Sequence, residues 1–231
     1  MDTANFDRLS RALGSRRAAL ASILGLGLVL RGHGEAEAHN PIPRCKRLKN
    51  AKKRRSCLRR TRNHNRKQTR IVRTFTNATP ISIASGGIAN PYPSKIRVGG
   101  FRQGRLLDVD VELIDLTHEH NENLYVLLEA PDGRRAIMMR DVGGPSFVID
   151  LVLNLDDEAP ASLPIGSPLG SGTFRPTDAG SIRHYPSALA TFDGINPNGI
   201  WQLYMRNDAG GHSGRLAGGW SLRITARVRA R

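Results

Sequence analysis

Two tryptophans, the only ones in the chain, each open an alternating segment, with a glycine-rich turn between the segments. The first reads Gly199-Ile200-Trp201-Gln202-Leu203-Tyr204-Met205-Arg206-Asn207-Asp208, the turn Gly210-Gly211-His212-Ser213-Gly214, and the second Gly219-Trp220-Ser221-Leu222-Arg223-Ile224. Successive side chains of a strand point to opposite faces. Trp201, Leu203 and Met205 therefore share one face, and Trp220, Leu222 and Ile224 another. A helix cannot use this pattern, because its apolar positions recur at three and four residues. Each indole carries a large apolar surface, so the hairpin must face a core.

The same period runs upstream. Leu107, Val109, Val111 and Leu113 alternate with Asp108, Asp110 and Glu112, predicting a strand with one buried and one wet face. Leu124, Val126 and Leu128 alternate with Tyr125, Leu127 and Glu129, predicting a strand covered on both sides. Phe147, Ile149, Leu151, Leu153 and Leu155 form a further apolar row, opposed by Asp150 and Asn154, and residues 94–98 are a shorter candidate. Turn signals fall between them at Asn90-Pro91, Gly99-Gly100, Pro131-Asp132-Gly133, Gly143-Gly144-Pro145 and Asn196-Pro197-Asn198-Gly199. Short strands between Gly/Pro turns predict an all-β body over residues 74–231: an antiparallel, galactose-binding-like jelly-roll β-sandwich. A body of about 158 residues buries roughly 70% of its unfolded surface, enough to stand alone. Residues 159–198 read as a long surface excursion with a short strand near Thr173 and Phe174.

The net charge of +15 suggests a nucleic-acid binder until it is located. Fifteen Lys or Arg and no acidic residue lie between Arg44 and Arg73, and the body from Thr74 onward is nearly neutral. Residues 39–73 therefore read as a polybasic arm. Its like charges and few apolar residues predict disorder, with a helix over residues 48–62 open to it if an anionic partner is present. No aromatic residue interleaves these charges, so base stacking and sequence-specific nucleic-acid binding are not expected. An anionic surface or polymer is the partner that residues 44–73 suit. Cys45 and Cys57 lie in the arm and, in an oxidising compartment, would form a disulfide. By loop entropy that would remove roughly 3 kcal/mol of unfolded-chain freedom. Free thiols, or a zinc site with His64, are the alternatives.

Residues 1–38 read as an export signal, which places the protein outside the cell or in its envelope. Ser15-Arg16-Arg17-Ala18-Ala19-Leu20 looks like a twin-arginine motif, an apolar run follows over residues 18–30, and Ala36-Glu37-Ala38 suits cleavage before His39. That run is shorter than the roughly 20 residues a membrane span needs.

Several ordered landmarks of the body resemble the P/Homo B domain, the module that follows the catalytic domain in kexin- and furin-like proprotein convertases. The strand leading to Thr117-His118 is followed by Asn123-Leu124-Tyr125-Val126-Leu127-Leu128 and Ala130-Pro131-Asp132-Gly133. Leu155-Asp156-Asp157-Glu158-Ala159, Gly172-Thr173-Phe174-Arg175-Pro176 and the approach from Phe192 to Trp201 come next. Asn123 and Ala130 stand where the family carries Asp and Ser. The resemblance implies a serine-endopeptidase context and a partner protease in trans. It supplies no catalytic domain, so the chain reads as a non-catalytic accessory module that binds or stabilises a partner. The alternative is a polyanion- or carbohydrate-binding envelope protein. A sugar-binding sheet would need exposed aromatics among Trp201, Trp220, Tyr125 and Tyr204.

Candidate chemistry is sparse. Gly211-His212-Ser213-Gly214 superficially echoes a nucleophile turn, but Ser213 needs a base, and nothing in the sequence places His118, His120 or His184 beside it. Its glycines suit a hairpin turn instead. Asp156, Asp157 and Glu158 are calcium candidates, with Asp115, Asp150 or Asp208 to complete the shell. The alternative is a turn whose carboxylates accept backbone N–H bonds. His118 and His120, with Glu119 and Glu122 nearby, leave a two-ligand metal pair open. A structural His118 that hydrogen-bonds backbone across its turn is the simpler reading. No resident cofactor is expected beyond that calcium.

Overall fold

The structure is a computed structural model that describes residues 42–66, 68–180 and 185–230. The export signal and His184 lie outside them. Among the described residues two helices lead, α1 (Ile42–Lys46) and α2 (Ala51–Arg66). Twelve strands follow: β1 (Gln68–Asn77), β2 (Ile81–Ile83), β3 (Gly87–Ile88), β4 (Ser94–Val98), β5 (Arg105–His118), β6 (Leu124–Glu129), β7 (Arg135–Arg140), β8 (Val148–Leu155), β9 (Gly172–Phe174), β10 (Thr177–Asp178), β11 (Gly199–Asn207) and β12 (Gly214–Arg229). They make a β-sandwich. One sheet runs β1-β12-β5-β8-β9 with β2 also on β12; the other runs β10-β7-β6-β11-β3 with β4 also on β11. Most neighbours are antiparallel, but β8 with β9 and β7 with β10 pair in parallel.

The tryptophan strands sit centrally, one in each sheet. β12 pairs β1 on one side and β5 on the other, and β11 lies between β6 and both β3 and β4. Trp201 and Trp220 are both 0% exposed, in one core that draws on both sheets. Burial obliges each indole N–H to find an acceptor. Trp201 Nε1 donates to the Pro197 carbonyl at 3.0 Å, and Trp220 Nε1 to Ser94 Oγ at 2.9 Å. Phe192 meets Trp201 edge-on, with ring centroids 5.2 Å apart.

β6 is covered on both faces, as its pattern predicts: Leu127, on the side away from the shared core, is buried too. In β5 a register shift opposite Thr225 and Ala226 alters the predicted row. Leu106 is buried in place of Leu107, which is half-buried. Such a bulge adds one residue and exchanges the faces.

Two expectations for the basic segment are corrected. Residues 51–66 are helical rather than disordered. The Asn50 side chain caps this helix by accepting the Lys53 N–H at 3.0 Å, and a disulfide joins Cys57 to Cys45 in α1 with Cα atoms 5.6 Å apart. Residues 68–73 belong to the sandwich: β1 pairs with β12 from Gln68 opposite Arg229 to Asn77 opposite Trp220. Ile71 and Phe75 pack on the core while Arg70 and Arg73 stay in solvent.

Candidate functional site

The apolar row from Phe147 to Leu155 does not stay on one face. Leu153 and Leu155 are buried as predicted, but Phe147 and Ile149 are 58% and 60% exposed, and Val148 is buried instead. The switch falls at Asp150, whose backbone takes φ 48. That left-handed conformation is uncommon for a residue with a Cβ. Thr117 holds it: Asp150 N–H donates to Thr117 Oγ1 at 3.0 Å, and the Thr117 hydroxyl donates to Asp150 Oδ1 at 3.0 Å. The register between β5 and β8 shifts at the same place. β9 reaches only Leu153 to Leu155 of β8, so residues 148–150 form a strand edge with no outer partner among the described residues.

A second loop adds to this surface. Ile165 is 66% exposed, the most exposed large hydrophobic residue described. Its loop is tied to the one leading into Phe147, because the Gly143 N–H donates to the Pro164 carbonyl at 2.8 Å. The 3-10 turn Asn121–Asn123 supports the same loop from below. Asn121 Nδ2 donates to the Ser146 carbonyl at 2.6 Å, and the Glu122 N–H to the Gly144 carbonyl at 3.3 Å. Phe147 and Ile149, and Ile165 on the loop tied to theirs, are thus exposed apolar side chains on a braced part of the sandwich.

The histidines and Ser213 border this part. His118 is buried, and its Nδ1 accepts the His120 N–H at 3.1 Å. Burial pushes its pKa below the usual histidine value. With Nδ1 accepting, the proton of the neutral ring sits on Nε2, which finds no partner among the described residues. Gly214 passes directly beneath that ring, and a Cβ there would run into it and into the Thr117 carbonyl. His120 and His212 stack with centroids 4.7 Å apart. Ser213 turns to Glu119 instead of a histidine: its N–H lies 2.7 Å and its hydroxyl 3.5 Å from Glu119 Oε2. Ser213 pairs with no histidine among the described residues, and this segment is the turn between β11 and β12.

The calcium candidates serve the backbone. Asp157 accepts the Leu189 N–H at 3.0 Å and the Ala190 N–H at 2.7 Å, and Asp156 Oδ1 accepts the Glu158 N–H at 2.8 Å. The Glu158 carboxyl is pushed up to about 7 by its hydrogen bond with Asp156 and then by burial. Asp150 is engaged by Thr117 and by Arg215 at 3.7 Å. Among the described residues no three His, Cys, Asp or Glu converge to hold a metal ion. Both indoles and Tyr204 are buried, and Tyr125 is half-buried with the Arg140 guanidinium 5.8 Å from its ring.

No protein-family model matches the chain, and no curated protein matches it. Two solved structures are similar at 14% identity and TM-score 0.37. One is a serine protease of Aeromonas sobria, with 75% of this chain and 30% of that one covered. The other is the same protease in complex with a chaperone, with 78% and 30% covered. The chain thus spans under a third of the length of these structures, and likeness at this level assigns neither activity nor partner.

Proposed function

We propose that this chain is an exported, non-catalytic binding module. It docks a protein partner on the Phe147, Ile149 and Ile165 surface, and the P/Homo B likeness of its landmarks makes that partner a serine protease. The observation that carries the reading is the outward turn of β8. Two large apolar side chains that the strand pattern would bury are held in solvent by a left-handed Asp150 and its Thr117 clasp. Grouped exposed hydrophobes on a rigid frame mark interaction sites. Full burial of each is worth about 1.5–3 kcal/mol, of which association leaves only a part.

The test is Phe147→Asp with Ile149→Asp, in a variant whose far-UV spectrum and melting temperature match wild type. It is expected to lose a co-secreted protease that wild type retains, by a factor of about 100 or more in affinity. Unchanged retention overturns the docking surface. Peptide hydrolysis by the purified chain, abolished in Ser213→Ala, overturns its non-catalytic character.

A further inference from the structure

The helix α2 carries positive charge in a pattern that the disulfide orients. At 100° per residue, Lys52, Arg55, Arg59 and Arg62 fall within an arc of about 80° and span about 15 Å of axis. All four are exposed. Cys57 and Thr61 lie on the other side of the helix, and that side is anchored. Cys57 is bonded to the buried Cys45, and the buried Thr61 hydroxyl is 3.5 Å from Cys45 Sγ. The covalent tie therefore holds the Cys57 and Thr61 side inward, and the basic stripe lies on the exposed side opposite it.

Side chains three and four apart on a helix are neighbours, about 5–6 Å between Cβ atoms, and like charges at that spacing repel. The stripe has no carboxylate to offset it, since α2 contains no acidic residue. A row of cations that destabilises its own helix suits a row of anions outside. Leu58 is the only large aliphatic side chain in α2 and is half-buried, so the apolar face needed to lie within a bilayer is missing. The absence of aromatics from residues 44–73 removes base stacking. What remains is recognition of a flexible chain of phosphates by charge alone.

We propose that the disulfide-held face of α2, through Lys52, Arg55, Arg59 and Arg62, binds a linear phosphate polymer that lies along the helix. Binding is by counterion release and is independent of the docking surface on the sandwich. Four neutralised phosphates on a single flexible chain give a log–log salt slope of about −2.8. Affinity then falls about 50-fold between 50 and 200 mM salt.

The experiment measures binding of medium-chain inorganic polyphosphate to the full chain by fluorescence competition across that salt range. Arg55→Gln with Arg59→Gln and Arg62→Gln is expected to flatten the slope to about −0.7, the value for one remaining contact, and to weaken binding at least tenfold at low salt. The control Lys53→Gln with Arg54→Gln and Arg60→Gln removes the same charge from other faces and is expected to retain the slope. Equal losses in the two triple variants overturn the stripe, because net charge alone would then explain binding. Tighter binding to phosphatidylglycerol vesicles than to polyphosphate at equal phosphate overturns it in favour of a membrane. Orthophosphate that displaces polyphosphate at equal phosphate overturns it in favour of a single-anion site. Phe147→Asp with Ile149→Asp is expected to leave polyphosphate binding unchanged, which separates this test from that of the proposed docking function.

Discussion

Asp157 is where a ligand role and a scaffold role predict opposite outcomes. Its carboxylate accepts the Leu189 and Ala190 N–H groups at 3.0 and 2.7 Å, so it caps the turn Leu189–Phe192. That turn delivers Phe192, fully buried, edge-on to Trp201. Hydrogen bonds to a charged acceptor contribute about 1.5–3 kcal/mol each. Asp157 is half-buried and Ala190 is exposed, so water replaces much of the second bond. Asp157→Ala should then cost about 1.5–3 kcal/mol in all. At roughly 2–4 °C per kcal/mol for a domain of this size, the melting temperature falls by about 3–12 °C. Asp157→Asn keeps one acceptor oxygen and should lose about half as much. Differential scanning fluorimetry in chelator and in calcium reads both roles. A calcium ligand at a hundred times its Kd would stabilise wild type by about 2.7 kcal/mol, an upward shift that Asp157→Ala would abolish. The capping account predicts the full loss in chelator and the same variant-to-wild-type difference in calcium. A variant within about 1 °C of wild type in chelator, or a calcium-dependent rise confined to wild type, refutes it.

Ser94→Ala strands the buried Trp220 N–H and should destabilise by about 1–3 kcal/mol, whereas Trp220→Ala should cost about 3–5 kcal/mol; urea unfolding followed by far-UV signal measures both. His118 has a folded pKa below its unfolded value near 6.5, so the unfolded state takes the proton first. The stability it contributes is complete above about pH 6.5 and is lost as pH falls toward the folded pKa, at up to about 1.4 kcal/mol per pH unit. His118→Gln should flatten that acid limb in a melting-temperature profile from pH 7 to 5.

Alternation alone marked the inner faces of β11 and β12, because a central strand between two packed layers leaves its side chains no choice of side. It failed wherever one residue altered the register. Leu107 yields to Leu106 at the β5 bulge opposite Thr225 and Ala226, and Phe147 and Ile149 face solvent because Asp150 turns left-handed. Nothing in a period-two pattern encodes a bulge, whose cause is the neighbouring strand. Composition misread the basic segment for a similar reason. Like-charge repulsion argues against order, but the Cys45 to Cys57 bond and the Asn50 cap are specific contacts that a charge count ignores. The Asp156-Asp157-Glu158 cluster was visible as acidic, yet whether carboxylates meet a metal or a turn depends on the excursion at residues 189–190, far away in sequence.

Placing a photo-reactive phenylalanine analogue at residue 147, and separately at residue 88, tests most directly whether the sandwich works by docking. Ile88 on β3 is also exposed, at 47%, but belongs to the other sheet. Irradiation in the secreted fraction should give one dominant adduct from residue 147, containing a serine protease by mass spectrometry, and none from residue 88. Adducts of equal yield from both positions, or none from residue 147 in a folded protein, would contradict the account.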